Sequence, residues 1–316
     1  MPAISVYAPS KTILVGEHAV VYNRPAIALP IDNLQTNVII TANPLGKENQ
    51  IAIFAPNINL KQKLSGMKKN NPIHASISIV KDYLKIDHYP SFEIRINSCI
   101  PIAAGLGSSA SMAVAIIHAT GLFFGVNLPT QTICDLAFEV EKIIHGNPSG
   151  IDNSVIAFDQ PIYFQREKPI EILHIKKSFF LIIGNSGIRG ITKEAVLGVK
   201  NRWMTESKKY EEIFDSIGQI TIEARNSIET GLIENLGALM VKNHGFLQQL
   251  GVSCEKLDNL VSAALKAGAQ GAKLCGAGLG GNMIALVDYG HIDPVKIALR
   301  ETGAVEAYTA KFEAKE

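Results

Sequence analysis

The chain has 316 residues, 47% of them hydrophobic, with 30 basic and 29 acidic side chains and a net charge of +1. That length supports about two domains, and the balanced charge argues against nucleic acid or a membrane surface as the main partner. The four cysteines, Cys99, Cys134, Cys254 and Cys275, form no C-x-x-C pair, which argues against a zinc site or a disulfide framework and for a reducing compartment. The N-terminus "MPAISVYAPSK" has no signal-peptide pattern and no apolar run reaches about 18 residues, so the expected location is the cytoplasm.

The first third reads as strands: "ISVYAP", "KTILVG", "AIALPI", "NVIITAN" and "IAIFAP", rich in Val, Ile and Thr and broken by Pro, Gly and Asn. A helix is predicted over 71–86 and an alternating strand over 91–98. A glycine loop follows, then a helix to Phe124, then a second helix opened by Pro129 and closed by Gly146. The second half opens with a buried strand, "FFLIIGN", at 179–185. Helical stretches fill 192–250, and "SCEKLDNLVSAALKAG" is a further capped helix. "GAKLCGAGLGGNMIALVDYG" reads as strand, glycine turn, strand, and "VEAYTAKFEA" as a closing strand. The charged "QREKPIEILHIKK" marks a boundary between domains at 1–172 and 173–316.

The stretch "PIAAGLGSSASMAVAIIHA" at 101–119 places two glycines and three serines ahead of an apolar helical run. A helix N-terminus offers unpaired N–H groups and a positive dipole end, and glycines let a phosphate approach them. The same stretch also reads as a tight loop with Ser108 or Ser109 as N-cap. "GLGSSA" fits a dinucleotide fingerprint only formally, because no acidic residue ends a second strand about 20 positions on. "GAGLGG" at 276–281 joins two strands instead of opening a helix. No G-x-x-x-x-G-K-[ST], H-R-D or D-F-G is present.

What remains suits phosphoryl transfer, which needs a phosphate cradle, a metal and a group that handles the acceptor hydroxyl. Gly105–Ser109 is the cradle. Ser109 and Glu141, late in the second helix, offer hard oxygen ligands. Asp152, in the loop-like "HGNPSGIDN", offers a carboxylate, and Lys11 in "APSKTILVGEH" an ammonium. Each also has an ordinary reading: Asp152 as an Asx-turn, Glu141 on a solvated helix face, Lys11 exposed, His18 a hydrogen-bonded structural residue.

"APSKTILVGEHAVVYNRPAIALPI", "PIAAGLGSSASMA" and "KLCGAGLGGNMIAL" resemble the three motifs of the GHMP small-molecule kinases, the family of galacto-, homoserine, mevalonate and phosphomevalonate kinases. "EKIIHGNPSGIDN" at 141–153 and "GEHAVVYNRPAIAL" are similar to the mevalonate-phosphorylating branch. The resemblance spans residues 6 to about 290. The third motif departs from the pattern: Cys275 takes a threonine place and Leu279 a glycine place.

The resemblance implies an α+β chain: an N-terminal ribosomal-protein-like α/β domain, a C-terminal ferredoxin-like domain, and an active site in the cleft between them. It implies ATP-dependent phosphorylation of the 5-hydroxyl of mevalonate with Mg2+, in a protein that is often a homodimer. Another GHMP kinase acceptor, such as phosphomevalonate or a sugar, is the alternative; a phosphorylated acceptor would need extra cations, and no Lys/Arg cluster adjoins the motifs. By position, Pro101, Ala104, Gly105, Leu106, Gly107, Ser108, Ser109 and Ala110 match the ATP loop. Ser109 and Glu141 match the magnesium ligands, Asp152 the catalytic carboxylate and Lys11 its lysine partner. Glu17, His18, Thr192 and Arg189 match the mevalonate side.

Overall fold

A computed structural model describes residues 3–101, 105–145, 148–190 and 192–314. Ala104 of the expected ATP loop and Gly146, expected to close the second helix, lie outside the described residues. In chain order the elements are β1 (Ile4–Val15), β2 (Ala26–Ala42), β3 (Ile51–Ala55), β4 (Leu60–Lys63), α1 (Pro72–Leu84), β5 (Phe92–Ser98), α2 (Ser108–Phe123), α3 (Thr130–His145) and α4 (Ile151–Phe158). They continue as β6 (Ile162–Phe164), β7 (Glu171–Ile172), β8 (Phe179–Asn185), α5 (Thr192–Thr205), α6 (Ser207–Thr230), α7 (Ile233–Gln249), α8 (Glu255–Lys266), β9 (Gly271–Cys275), β10 (Asn282–Val287), α9 (Ile292–Glu301) and β11 (Glu306–Phe312). The mixture is α+β. No helix among the described residues is long and apolar enough to cross a membrane.

The segments group into two compact units. One holds residues 1–11, 30–101 and 107–159; the other holds 12–29, 102–106 and 160–316. "ISVYAP" and "KTILVG" form one strand, β1, running through Pro9; "AIALPI" and "NVIITAN" likewise form one strand, β2.

In the first unit β4, β3, β5 and the C-terminal half of β2 lie in that order; β3 and β5 are parallel, the other pairs antiparallel. Apolar residues alternate along β5, burying Phe92, Ile94 and Ile96. Helices α1 to α4 pack on one another beside this sheet. Asn71 caps α1 by accepting from the Ile73 N–H at 2.9 Å, and Pro72 supplies its first residue. α2 is apolar nearly all round, with Ala113, Val114, Ala115, Ile116 and Ile117 buried, as a helix enclosed by neighbours must be.

In the second unit the start of β2 pairs with β6, and β6 with β7. A separate antiparallel sheet has the order β11-β8-β10-β9. With helices between its first and second strands and between its third and fourth, this is the ferredoxin-like arrangement. Its central strands β8 and β10 are near-continuous apolar runs, and Ile182, Leu274, Met283 and Ala285 join Phe214, Leu247 and Leu260 from the helices in one core.

Candidate active site

Gly107 has φ +73° and is the N-cap of α2, which has no side-chain cap. The serines are therefore not caps; Ser108 and Ser109 are the first helical residues, and the first-turn N–H groups are left for another partner. Gly107 is required by more than its dihedral. A Cβ there would come 2.8 Å from Lys11 Cγ and 3.0 Å from Ile156 Cδ1. The glycine lets the lysine stem pass close to the helix start. Ser111 Oγ donates to Ala8 O at 3.0 Å, tying α2 to β1. In the preceding turn Gly105 has φ +79° and open space where a Cβ would be, and Leu106 is buried.

Lys11 is buried, at 4% exposure, although a lone lysine between strand-like pieces reads as exposed. Its Nζ lies 3.0 Å from Asp152 Oδ1. Asp152 is not in a loop: it is the second residue of α4, which Gly150 opens with φ +90°. Asn153 and Ser154 hold that first turn. Asn153 Nδ2 donates to Cys134 O at 3.2 Å, and Ser154 Oγ donates to Gly150 O at 2.6 Å. The Asp152 side chain keeps 36% exposure, so a carboxylate held at its base still faces outward.

Glu141 is also buried, at 5%, and not on a solvated face. Ser109 Oγ donates to its Oε1 at 2.8 Å, so the two oxygens read as metal ligands meet in the structure.

In the second unit the turn after β1 brings Glu17 to Lys273 of β9 and His18 to Ala277 of the glycine turn. Glu17 is 1% exposed and paired with Lys273. His18 Nε2 donates to Ala277 O at 2.9 Å, a carbonyl being only an acceptor, and burial among Arg202 and Lys273 pushes the imidazole down to about 4. Thr12 Oγ1 lies 2.9 Å from Cys275 Sγ, so the thiol in the threonine place keeps a polar link to β1. Leu279, in a glycine place, holds φ +55°; its N–H donates to Val252 O at 2.7 Å. Arg189 is exposed in the segment after β8, and Thr192 is exposed as the first residue of α5. That segment is stitched to the glycine turn: Gly281 N–H donates to Ile188 O at 2.7 Å, and Ser186 N–H to Gly281 O at 2.9 Å.

Sequence reasoning missed Lys273, Asn243 and Asn153. A lysine inside the apolar "GAKLCG" was the one available signal, since a charge in a buried strand needs a partner.

Residues 71–160 match the family described as GHMP kinases N terminal domain, and 224–305 match GHMP kinases C terminal. A mevalonate kinase of Pyrococcus horikoshii is 35% identical over 96% of this chain and 93% of its own length. The chain belongs to the GHMP kinase family. The structure of L. major mevalonate kinase in complex with R-mevalonate is similar at TM-score 0.85 and 26% identity, covering 98% of this chain and 96% of that one. The Methanococcus jannaschii mevalonate kinase structure is similar at TM-score 0.84 and 30% identity, covering 100% and 99%. As a GHMP kinase the chain is an ATP-dependent phosphotransferase, and it carries the N-terminal and C-terminal domains of that family.

Proposed function

We propose that this GHMP kinase transfers the γ-phosphoryl group of ATP to the 5-hydroxyl of mevalonate. The observation that carries the chemistry is the Lys11–Asp152 pair, 3.0 Å apart with the lysine buried. The acceptor is supported by the mevalonate kinases it resembles over nearly its whole length.

Asp152 is the general base: its carboxylate takes the proton of the acceptor hydroxyl as the oxygen attacks phosphorus. Lys11, its stem threaded past Gly107, orients that carboxylate and sets a positive charge beside the oxygen and the phosphoryl group. The uncapped N–H groups of Ser108, Ser109 and Ala110 donate to the ATP phosphate oxygens at the positive end of α2. Ser109 and Glu141 fit Mg2+, a hard ion that takes one or two protein oxygens and fills its remaining positions with phosphate and water. Bound there, the ion would shield the charge between the β- and γ-phosphates. Arg189 and Thr192, on the segment held by the glycine turn, serve the mevalonate carboxylate and hydroxyl. The reaction belongs in the cytoplasm, a reading supported by four cysteines that are all free.

The test is ADP release from Mg-ATP with mevalonate, phosphomevalonate, galactose and homoserine offered separately. Release with mevalonate alone is expected. Release driven by one of the others instead moves the chain to another branch of the family.

A further inference from the structure

His18 has φ +60° and ψ −48°, and the N–H of Ala19 donates to Glu17 O at 2.7 Å across it. This is the rare, strained γ-turn, which a β-substituted residue enters only when its surroundings force it. Both flanking side chains are held. On one side the His18 ring donates to Ala277 O in the glycine turn. On the other, Lys273 Nζ donates to Glu17 Oε1, and Asn243 Nδ2 donates to Glu17 Oε2 at 3.1 Å. Lys273 also donates to its neighbour's carbonyl, Leu274 O, at 2.6 Å, and the Leu274 N–H donates to His244 Nδ1 at 3.3 Å. Both oxygens of Glu17 are thus occupied by protein at 1% exposure.

Stability does not account for this cluster. A buried ion pair gains little over apolar side chains of similar volume, because desolvation offsets the attraction. Lys273 and Asn243 are both 0% exposed, and Asn243 Oδ1 has no hydrogen-bond partner among the described residues. Asn243 is therefore kept for its donor alone, at the cost of a stranded acceptor. What the cluster does supply is a fixed direction for the Glu17 carboxylate, and with it the torsion at the next residue.

We propose that Lys273 and Asn243 are positioning residues: by clamping Glu17 in the core they hold the strained turn at His18, so that its ring stays fixed on Ala277 at the mevalonate side. Glu17 then acts through the turn and not as a contact to substrate. The substrate half of this statement rests on the proposed mevalonate reaction; the structural half does not.

The experiment uses the full chain carrying Glu17→Gln and Lys273→Met together, which removes both charges and leaves neither one buried alone. The expected result is a melting temperature near wild type with a mevalonate KM raised roughly tenfold, while kcat and the ATP KM stay within roughly threefold. The exchange-protected Nε2–H resonance of His18 should be lost at the same time. If either the mevalonate KM or that resonance stays at its wild-type value, the proposal is overturned, since the effect then does not run through the turn. Should the double variant fail to fold, Asn243→Ala keeps the ion pair and decides by the same two readouts, with a KM rise of roughly threefold. A wild-type chain that does not phosphorylate mevalonate would sink the proposed function alone. The His18 resonance of the variant would then decide the clamp: lost supports it, retained overturns it.

Discussion

Lys11 and Asp152 form one constellation at the scale of the residue, and mutating them should show it. Asp152→Asn is expected to lower kcat by roughly 10²–10⁴-fold with the ATP KM little changed, the usual loss for a positioned acid–base group. Lys11→Met should lose much of the activity as well. Because the two side chains meet at 3.0 Å, the double variant should lose little more than the worse single one. Multiplicative losses in kcat at saturating ATP and Mg2+ would mean that the residues work independently. Glu141→Gln, with a weaker amide oxygen beside Ser109, should raise the Mg2+ concentration for half-maximal rate; titration curves that overlay the wild type would leave Glu141 a structural partner of Ser109. Each of these residues reads as ordinary in the sequence. Burial of Lys11 and Glu141 and their pairing with Asp152 and Ser109 change that meaning, and both come from contacts between distant segments. The Glu17–Lys273 pair, 256 positions apart, is a further case: neither residue announces the other.

Elements are more legible than their ends. The glycine loop, the apolar α2 and the strand–turn–strand of β9 and β10 follow from composition and spacing alone. α4 does not, because "GNPSGIDN" has the residues of a turn, yet here the turn chemistry is an N-cap: Gly150 in the left-handed region starts a helix with Asp152 in its first turn. α9 carries no sequence expectation; it is short and has Pro294 near its start, where a missing N–H costs nothing. β1 runs through Pro9 and β2 through Asp32 and Asn33 as single long strands, which a reading that breaks at proline and at turn-forming residues divides. Two glycine-related positions test this scale. Gly107→Ala adds a Cβ at φ +73° that meets Lys11, so it should destabilise the chain by about 1–2 kcal/mol and cut kcat more than tenfold. Leu279→Gly relieves a left-handed leucine at φ +55° and should raise stability by about 0.5–1 kcal/mol in thermal melts; an unchanged or lower melting temperature would show that the leucine side chain contributes more than its backbone costs.

For the whole molecule, the two family domains and the mevalonate reading rest on motifs distributed along the chain, each unremarkable alone and informative in order. The ferredoxin-like sheet could be named only by resemblance, since strand order β11-β8-β10-β9 depends on pairings that no local pattern encodes. The central claim is that this assembly places a phosphoryl group on the primary hydroxyl of mevalonate with Asp152 as base. The most direct measurement is phosphorus NMR of the product formed from R-mevalonate and Mg-ATP by the wild-type chain and by Asp152→Asn. The account predicts a phosphomonoester signal split by the two protons of the adjacent methylene, forming with the wild type and nearly absent with the variant. Inorganic phosphate as the sole product, or an equal phosphomonoester signal from Asp152→Asn, would contradict it.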